Sequence, residues 1–160
     1  MTNVAPQSTC LCDRGLDKAQ ARSALLVSAA EEDREVLGSV FSQQGWTLYT
    51  TRAFETALAF LRDNPVPVVI TEQYLPLGDW KDILTGVQRL PHAPLLIVTA
   101  RLADEYLWAE VLNLGGHDVL NKPFQVTELL WVLGNAWRRV ENNRTQALRL
   151  KGRPVLAYAQ

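Results

Sequence analysis

The chain has only two cysteines, Cys10 and Cys12, one residue apart near its start. Cysteines so close rarely bridge each other, because backbone geometry opposes it. A disulfide scaffold is excluded, and reduced thiols are the expectation. Histidine is equally scarce. His92 and His117 stand alone, and no further His or Cys completes a zinc set. No apolar stretch approaches the roughly 18 residues that a membrane span needs. The N-terminus also lacks the basic stretch leading into an apolar run that marks a secretory signal. These absences leave a soluble, cytoplasmic protein as the expectation.

What is present fits one ordinary domain. The chain has 160 residues, of which 48% are hydrophobic and 21% charged, enough apolar material for a core without metal or disulfide staples. The net charge of -1 hides an uneven distribution. Residues 1–22 carry three basic and two acidic side chains, residues 23–137 seven basic and fourteen acidic, and residues 138–160 six basic and one acidic. An acidic body therefore ends in a basic tail. Residues 1–22, with Pro6, Gly15 and many small polar side chains, read as a flexible leader, with a helical stretch near Asp17–Arg22. Residues 23–140 read as the domain, and 141–160 as a basic, partly helical extension.

Along the domain, short apolar runs alternate with helical periodicity. Ala24-Leu25-Leu26-Val27 suits a strand buried on both faces. Glu31, Glu32 and Asp33 follow it, placed to complement the positive end of a helix dipole. Val36, Leu37, Val40 and Phe41 repeat at helical spacing until Gly45 ends the helix. Four further strands are expected at Trp46–Thr50, Val68–Ile70 closed by Thr71 and Glu72, Pro94–Thr99, and Val119–Leu120. Helices are expected around Phe54–Leu61, Trp80–Leu90 and Leu102–Leu114, with a last one capped by Gln125 or Thr127. Pro76–Asp79 reads as a loop. Five strands alternating with five helices predict a doubly wound α/β fold, a parallel sheet with helices on both faces. In such a sheet, function gathers at the carboxyl ends of the strands. Those ends carry Ser28, Ala29 and Ala30, then Glu72, Thr99 and Lys122.

Four segments in order resemble a response-regulator receiver domain, from about Ala24 to Val140. They are Val68-Val69-Ile70-Thr71-Glu72 with Tyr74–Asp79 after it, Leu96-Ile97-Val98-Thr99-Ala100, Gly115 through Phe124 with its Lys122-Pro123-Phe124 ending, and Arg34, Leu37 and Gly45 around the first helix. The resemblance implies a flavodoxin-like fold with strand order 2-1-3-4-5. It also implies a mechanism. A histidine kinase passes a phosphoryl group to an aspartate ending strand three. Two acids after strand one, that aspartate and a backbone carbonyl two residues further on hold Mg²⁺. A Thr or Ser ending strand four and a Lys ending strand five contact the phosphoryl group. The metal neutralises charge on the transferring oxygens. A cis Lys122–Pro123 bond is implied as well.

The sequence departs from the family at the centre of that machinery. Glu72 stands at the phospho-acceptor position, and Ser28 and Ala29 stand at the acidic pair. Val119 replaces the aromatic switch residue, Trp80 stands where a Gly follows the third-strand loop, and the stretch from Thr99 to Gly115 is one residue longer. Thr99 and Lys122 are retained, and Tyr74 still offers its carbonyl. The expectation is a receiver that has lost conventional phosphorylation and its Mg²⁺, with no cofactor and no enzyme activity. Glu72 is expected to pair with Lys122, and a partial imitation of a phosphorylated aspartate is the sharper reading of the same residue. Glu31, Glu32 and Asp33 are read as helix-dipole partners rather than metal ligands, and Ser28 as a small strand-end residue.

The implied function is that of a single-domain, atypical receiver in bacterial two-component signalling. It would act as a protein-interaction module toward a histidine kinase or a downstream signalling protein. The partner face implied by the family is helix four, strand five and helix five, where Tyr106 or an exposed tryptophan would serve as anchor. Tyr106, Trp108, Trp131 and Trp137 are for the most part expected as core or half-buried helix residues. The basic tail reads as a solvated helical extension, a dimerising helix or a docking segment. Its roughly twenty residues are too few for a helix-turn-helix, so a nucleic-acid partner is not expected. Two other readings remain: a relay receiver phosphorylated at a non-standard site, and a small-molecule binder on a flavodoxin-like frame. The second lacks a glycine-rich phosphate loop, since Ser28-Ala29-Ala30-Glu31 follows the first strand.

Overall fold

Strand β1, Ser23–Val27, is buried along its whole length, as its small and branched apolar side chains allow. In the computed structural model, which describes residues 5–6 and 22–151, four parallel strands join it. They are β2 Thr47–Thr51, β3 Val68–Glu72, β4 Leu95–Ala100 and β5 Asp118–Asn121, in the order β2-β1-β3-β4-β5. Leu26 lies opposite Thr50 on one side and Ile70 on the other, Ile70 lies opposite Ile97, and Ile97 opposite Asp118. Among the described residues, five helices connect and follow the strands: α1 Glu31–Gln44, α2 Phe54–Asp63, α3 Trp80–Gln88, α4 Glu105–Leu114 and α5 Val126–Lys151. This is the doubly wound α/β fold that the sequence pattern predicts, in the strand order that the family resemblance implies.

Two cores form because alternate residues of a strand face opposite sides of the sheet. Ala24 and Leu26 of β1 pack with Leu37 and Phe41 of α1 and with Leu129, Leu133 and Trp137 of α5. Leu25 and Val27 pack with Ala57 of α2, Ile83 of α3 and Val111 of α4. Gly45 and Gly115 end α1 and α4 at φ 72° and 106°, in the left-handed region that glycine enters at no steric cost. None of the helices among the described residues is long and apolar enough to cross a membrane.

The structure corrects the sequence reading in three places. Ala5–Pro6, within the leader expected to be flexible, forms a two-residue strand antiparallel to β2, with Ala5 opposite Thr50 and Pro6 opposite Tyr49. Cys10, Cys12 and residues 17–21 of the expected leader helix lie outside the described residues. Helix α4 begins at Glu105, not Leu102, because the Asp104 side chain accepts the Leu107 N–H at 2.9 Å and caps the helix there. Leu102 is left exposed before it.

The third correction is at Pro76–Asp79, expected as a loop. Tyr74–Leu75 and Gly78–Asp79 instead pair as a small hairpin that delivers Asp79 to the start of α3. There Asp79 accepts the N–H groups of Lys81 and Asp82, while the Asp82 carboxylate accepts the Asp79 N–H, a reciprocal capping box. Replacing Asp79 with Ala is expected to cost about 1 kcal/mol. A urea melt of the variant against the parent protein checks this, and an unchanged midpoint would mean the cap contributes nothing.

Candidate functional site

The carboxyl ends of β1, β3, β4 and β5 come together at one rim of the sheet. Ser28, just past β1, is fully buried, and its N–H donates to the Thr51 carbonyl at 2.9 Å. Glu72 ends β3. Its Oε2 accepts the Ala29 N–H at 3.0 Å, and its Oε1 accepts Lys122 Nζ at 2.6 Å. Lys122 follows β5, fixed by its N–H to the Ala100 carbonyl at 2.9 Å, and the Lys122–Pro123 bond is cis. The expected Glu72–Lys122 ion pair is present.

A second carboxylate that the sequence reading had placed elsewhere completes the site. Asp33, in the first turn of α1, is 6% exposed, and its Oδ2 lies 2.5 Å from Lys122 Nζ. The same oxygen accepts Ser28 Oγ at 3.0 Å, while Ser28 Oγ accepts the Ala30 N–H at 3.1 Å. Asp33 is therefore a member of the site as well as an acid of α1's first turn, whereas Glu31 and Glu32 beside it are exposed. Ser28, read as a mere small residue, is the hydroxyl that orients Asp33. The signal was available: Asp33, Leu37, Val40 and Phe41 form one buried stripe of α1, so Asp33 sits on the face turned toward the sheet.

Lys122 is thus clasped by two carboxylates, with side-chain exposures of 13% for Lys122, 8% for Asp33 and 16% for Glu72. Charges this close and this sheltered attract strongly, but taking them out of water costs a comparable amount. The gain over an apolar replacement is small, whereas removing one member leaves the others uncompensated. Thr99, 1% exposed, donates its hydroxyl to the Thr71 carbonyl at 3.4 Å, and its own carbonyl accepts the Gln73 N–H at 2.9 Å. Thr99 therefore satisfies backbone where the chain leaves β3. Val119 is buried in the core shared with α4.

The donor set is a poor match for Mg²⁺, a hard cation that demands near-octahedral oxygen ligands. Ala29 brings no side-chain ligand, the Ser28 hydroxyl is spent on Asp33, and both carboxylates are already engaged by Lys122. Tyr74, whose carbonyl the family uses, lies in the small hairpin opposite Asp79.

The aromatic residues divide between core and surface, with more of them exposed than expected. Trp137 is buried, but Tyr106 is 86% exposed, Trp131 67% and Trp108 51%. These three project from α4 and α5 beside β5, where Trp108 Nε1 donates to Asp118 Oδ1 at 3.3 Å. They are exposed because the inward stripes of α4 and α5 are filled by Leu107, Val111, Leu129 and Leu133.

Comparison with known proteins agrees with this architecture. The response regulator receiver domain model matches residues 24–133. The chain belongs to the response regulator receiver domain family. It is 30% identical over 143 residues to the transcriptional regulatory protein GltR of Pseudomonas aeruginosa, covering 88% of this chain and 57% of that protein. Among solved structures it resembles the signal receiver domain of an HD domain-containing protein from Pseudomonas fluorescens. That match has a TM-score of 0.70 at 27% identity and covers 77% of this chain and 91% of the other. It shares the fold of the Vibrio cholerae chemotaxis protein CheY4, with a TM-score of 0.67 at 18% identity, covering 71% of this chain and 97% of that one. The chain spans about half the length of the curated relatives it matches.

Proposed function

We propose that this receiver domain works in two-component signalling as a protein-interaction module without conventional aspartyl phosphorylation, and that its site has given up Mg²⁺. The observation that carries this reading is the clasp on Lys122. In the family, as the resemblance implies, this lysine contacts the phosphoryl group. Here Asp33 and Glu72 occupy it at 2.5 and 2.6 Å, and both oxygens of Glu72 are engaged. A carboxylate held this way carries one negative charge and two acceptor oxygens where an aspartyl phosphate would carry more charge and three. Glu72 is therefore a built-in, partial substitute for the phosphorylated residue.

Contact with the partner falls to the α4–β5–α5 face. Tyr106, Trp108 and Trp131 offer three exposed aromatic anchors there, rimmed by Asp104, Glu105, Asp118 and Glu128. Exposed aromatic residues of this kind dominate the energetics of many interfaces. The partner is a protein of the same pathway, a histidine kinase or a downstream signalling protein.

Incubation with a small phosphodonor and excess Mg²⁺, followed by intact mass measurement, tests the reading. The expected result is no added phosphoryl group, with a receiver of ordinary sequence run alongside as positive control. A stoichiometric phosphoryl adduct on any residue would overturn it in favour of a relay receiver with a non-standard site. The partner face is tested separately: Trp131→Ala is expected to lower partner binding at least tenfold, and unchanged binding would move the interface elsewhere.

A further inference from the structure

On the α4–β5–α5 face lies a cleft of about 360 Å³, near the small end for ligand pockets and wide enough for one long side chain. Trp108 of α4 and Trp131 of α5 line it, together with the buried Val119 and Val132. The Trp108 ring is tethered by its N–H to Asp118 and still stands half exposed. Asn121 Oδ1 accepts the Ala103 N–H at 3.2 Å. Every charged residue lining the cleft is acidic: Asp104, Glu105, Asp118 and Glu128. Asp104 and Asp118 are partly used, as acceptors for the N–H groups of Leu107 and Val119. Glu105 and Glu128 make no side-chain hydrogen bond or ion pair among the described residues. Two helix N-termini, at about half a positive charge each, leave about three of the four negative charges unmet. Among the described residues, the one cation seated over an aromatic ring is Lys81 at Trp80, not at either of these indoles.

We propose that this cleft receives the side chain of an arginine carried by the partner protein. The inference rests on the reading of this face as the partner surface and names what the partner must bring. Three properties of the cleft select arginine. Tryptophan faces attract a cation more strongly than other aromatic rings do. Carboxylates of one sign favour a positive charge and repel an acidic residue. Those carboxylates also come from three elements: Asp104 and Glu105 at the start of α4, Asp118 in β5, and Glu128 in α5. A flat guanidinium lies along an indole while its forked N–H groups reach acids on more than one side, whereas a lysine ammonium has the charge but neither the flat face nor the fork. A neutral apolar side chain would gain the indoles but would strip water from Glu105 and Glu128 without replacing it. Arg101, the arginine of this chain nearest in sequence, does not line the cleft. Residues 23–137 carry seven basic and fourteen acidic side chains, so the field of the whole body also draws a basic partner.

Two-dimensional NMR of the isotope-labelled full chain tests this through the indole N–H signals of its five tryptophans. Trp46, Trp80 and Trp137 are buried and serve as internal controls. The probes are a blocked tetra-arginine peptide and its tetra-citrulline counterpart, which keeps the shape and loses the charge. The arginine peptide is expected to move the Trp108 and Trp131 signals, identified from Trp108→Phe and Trp131→Phe, along a saturable curve, binding at least about fivefold more tightly than citrulline. Glu105→Gln combined with Glu128→Gln should weaken it at least about fivefold. Glu55→Gln combined with Asp63→Asn removes the same charge from exposed positions of α2, the helix that follows the strand at the other side of the sheet, and should change it by less than about twofold. Equal weakening in both double variants means attraction by net charge alone and overturns the proposal, as does the absence of movement at both indoles. Equal movement with the two peptides overturns the arginine but keeps the face as an apolar interface, which stands or falls by the Trp131→Ala binding result. Indole signals that shift with protein concentration before any peptide is added overturn it in favour of a second copy, whose α5 carries Arg138, Arg139, Arg144 and Arg149.

Discussion

Replacing Lys122 with Met is expected to cost about 3–5 kcal/mol of folding stability, the range seen when one partner of a buried ion pair is removed. The loss follows from what the ammonium leaves behind. Asp33 and Glu72 would face each other across a sheltered pocket with no cation between them. Removing Glu72 as well should recover only part of it. Asp33 would remain buried at 6% exposure, with the Ser28 hydroxyl as its remaining hydrogen-bond partner. Most of the loss should return only when Lys122→Met is combined with Asp33→Asn and Glu72→Gln. The neutral amides can still accept from Ser28 and from the Ala29 N–H without a charge to compensate. Denaturant midpoints of the single, double and triple variants decide this. If the triple variant is no more stable than Lys122→Met, the three side chains do not act as one unit.

Trp137→Ala is expected to cost a similar 3–5 kcal/mol. Trp137 closes a three-ring cluster in which Phe41 and Trp46 meet edge to face at 5.4 Å, Trp46 and Trp137 at 5.6 Å, and Phe41 and Trp137 at 6.4 Å. The cluster ties α5 to the end of α1 and the start of β2. Edge-to-face pairs add to the area they bury. The indole N–H of Trp137 is buried without a hydrogen-bond partner among the described residues. Trp137→Phe keeps most of the packing and discards that unsatisfied donor, so its cost should stay near 1–2 kcal/mol, by order of magnitude. A urea series showing the alanine variant within about 1 kcal/mol of the parent would mean that α5 is anchored elsewhere.

Much of the fold was legible because each strand of the sheet is a short apolar run and each helix stop is marked. Ala24–Val27, Val68–Ile70 and Leu96–Val98 could hardly be anything but buried strands, and Gly45 and Gly115 end their helices as read. The Glu72–Lys122 pair was legible because both residues end strands at the same rim. Asp33 was not, because an acid in a first helical turn has a sufficient local explanation, and only its phase with Leu37 and Phe41 says otherwise. The start of α4 was misjudged because Leu102 and Ala103 look helical, while the cap that decides the matter is Asp104. The strand at Ala5–Pro6 has no periodicity to detect. Two residues carry no pattern, and one of them is a proline.

That short strand has a consequence for how molecules of this protein meet. The outer edge of β2 would otherwise present unpaired N–H and C=O groups, a template on which the sheet of another molecule could add itself. Ala5–Pro6 covers that edge at Tyr49 and Thr50, and in turn presents a segment only two residues long in which Pro6 has no N–H to donate. Among the described residues the sheet therefore ends on this side in a strand too short and too poor in donors to be extended, and crowding many copies together should not string them edge to edge through it.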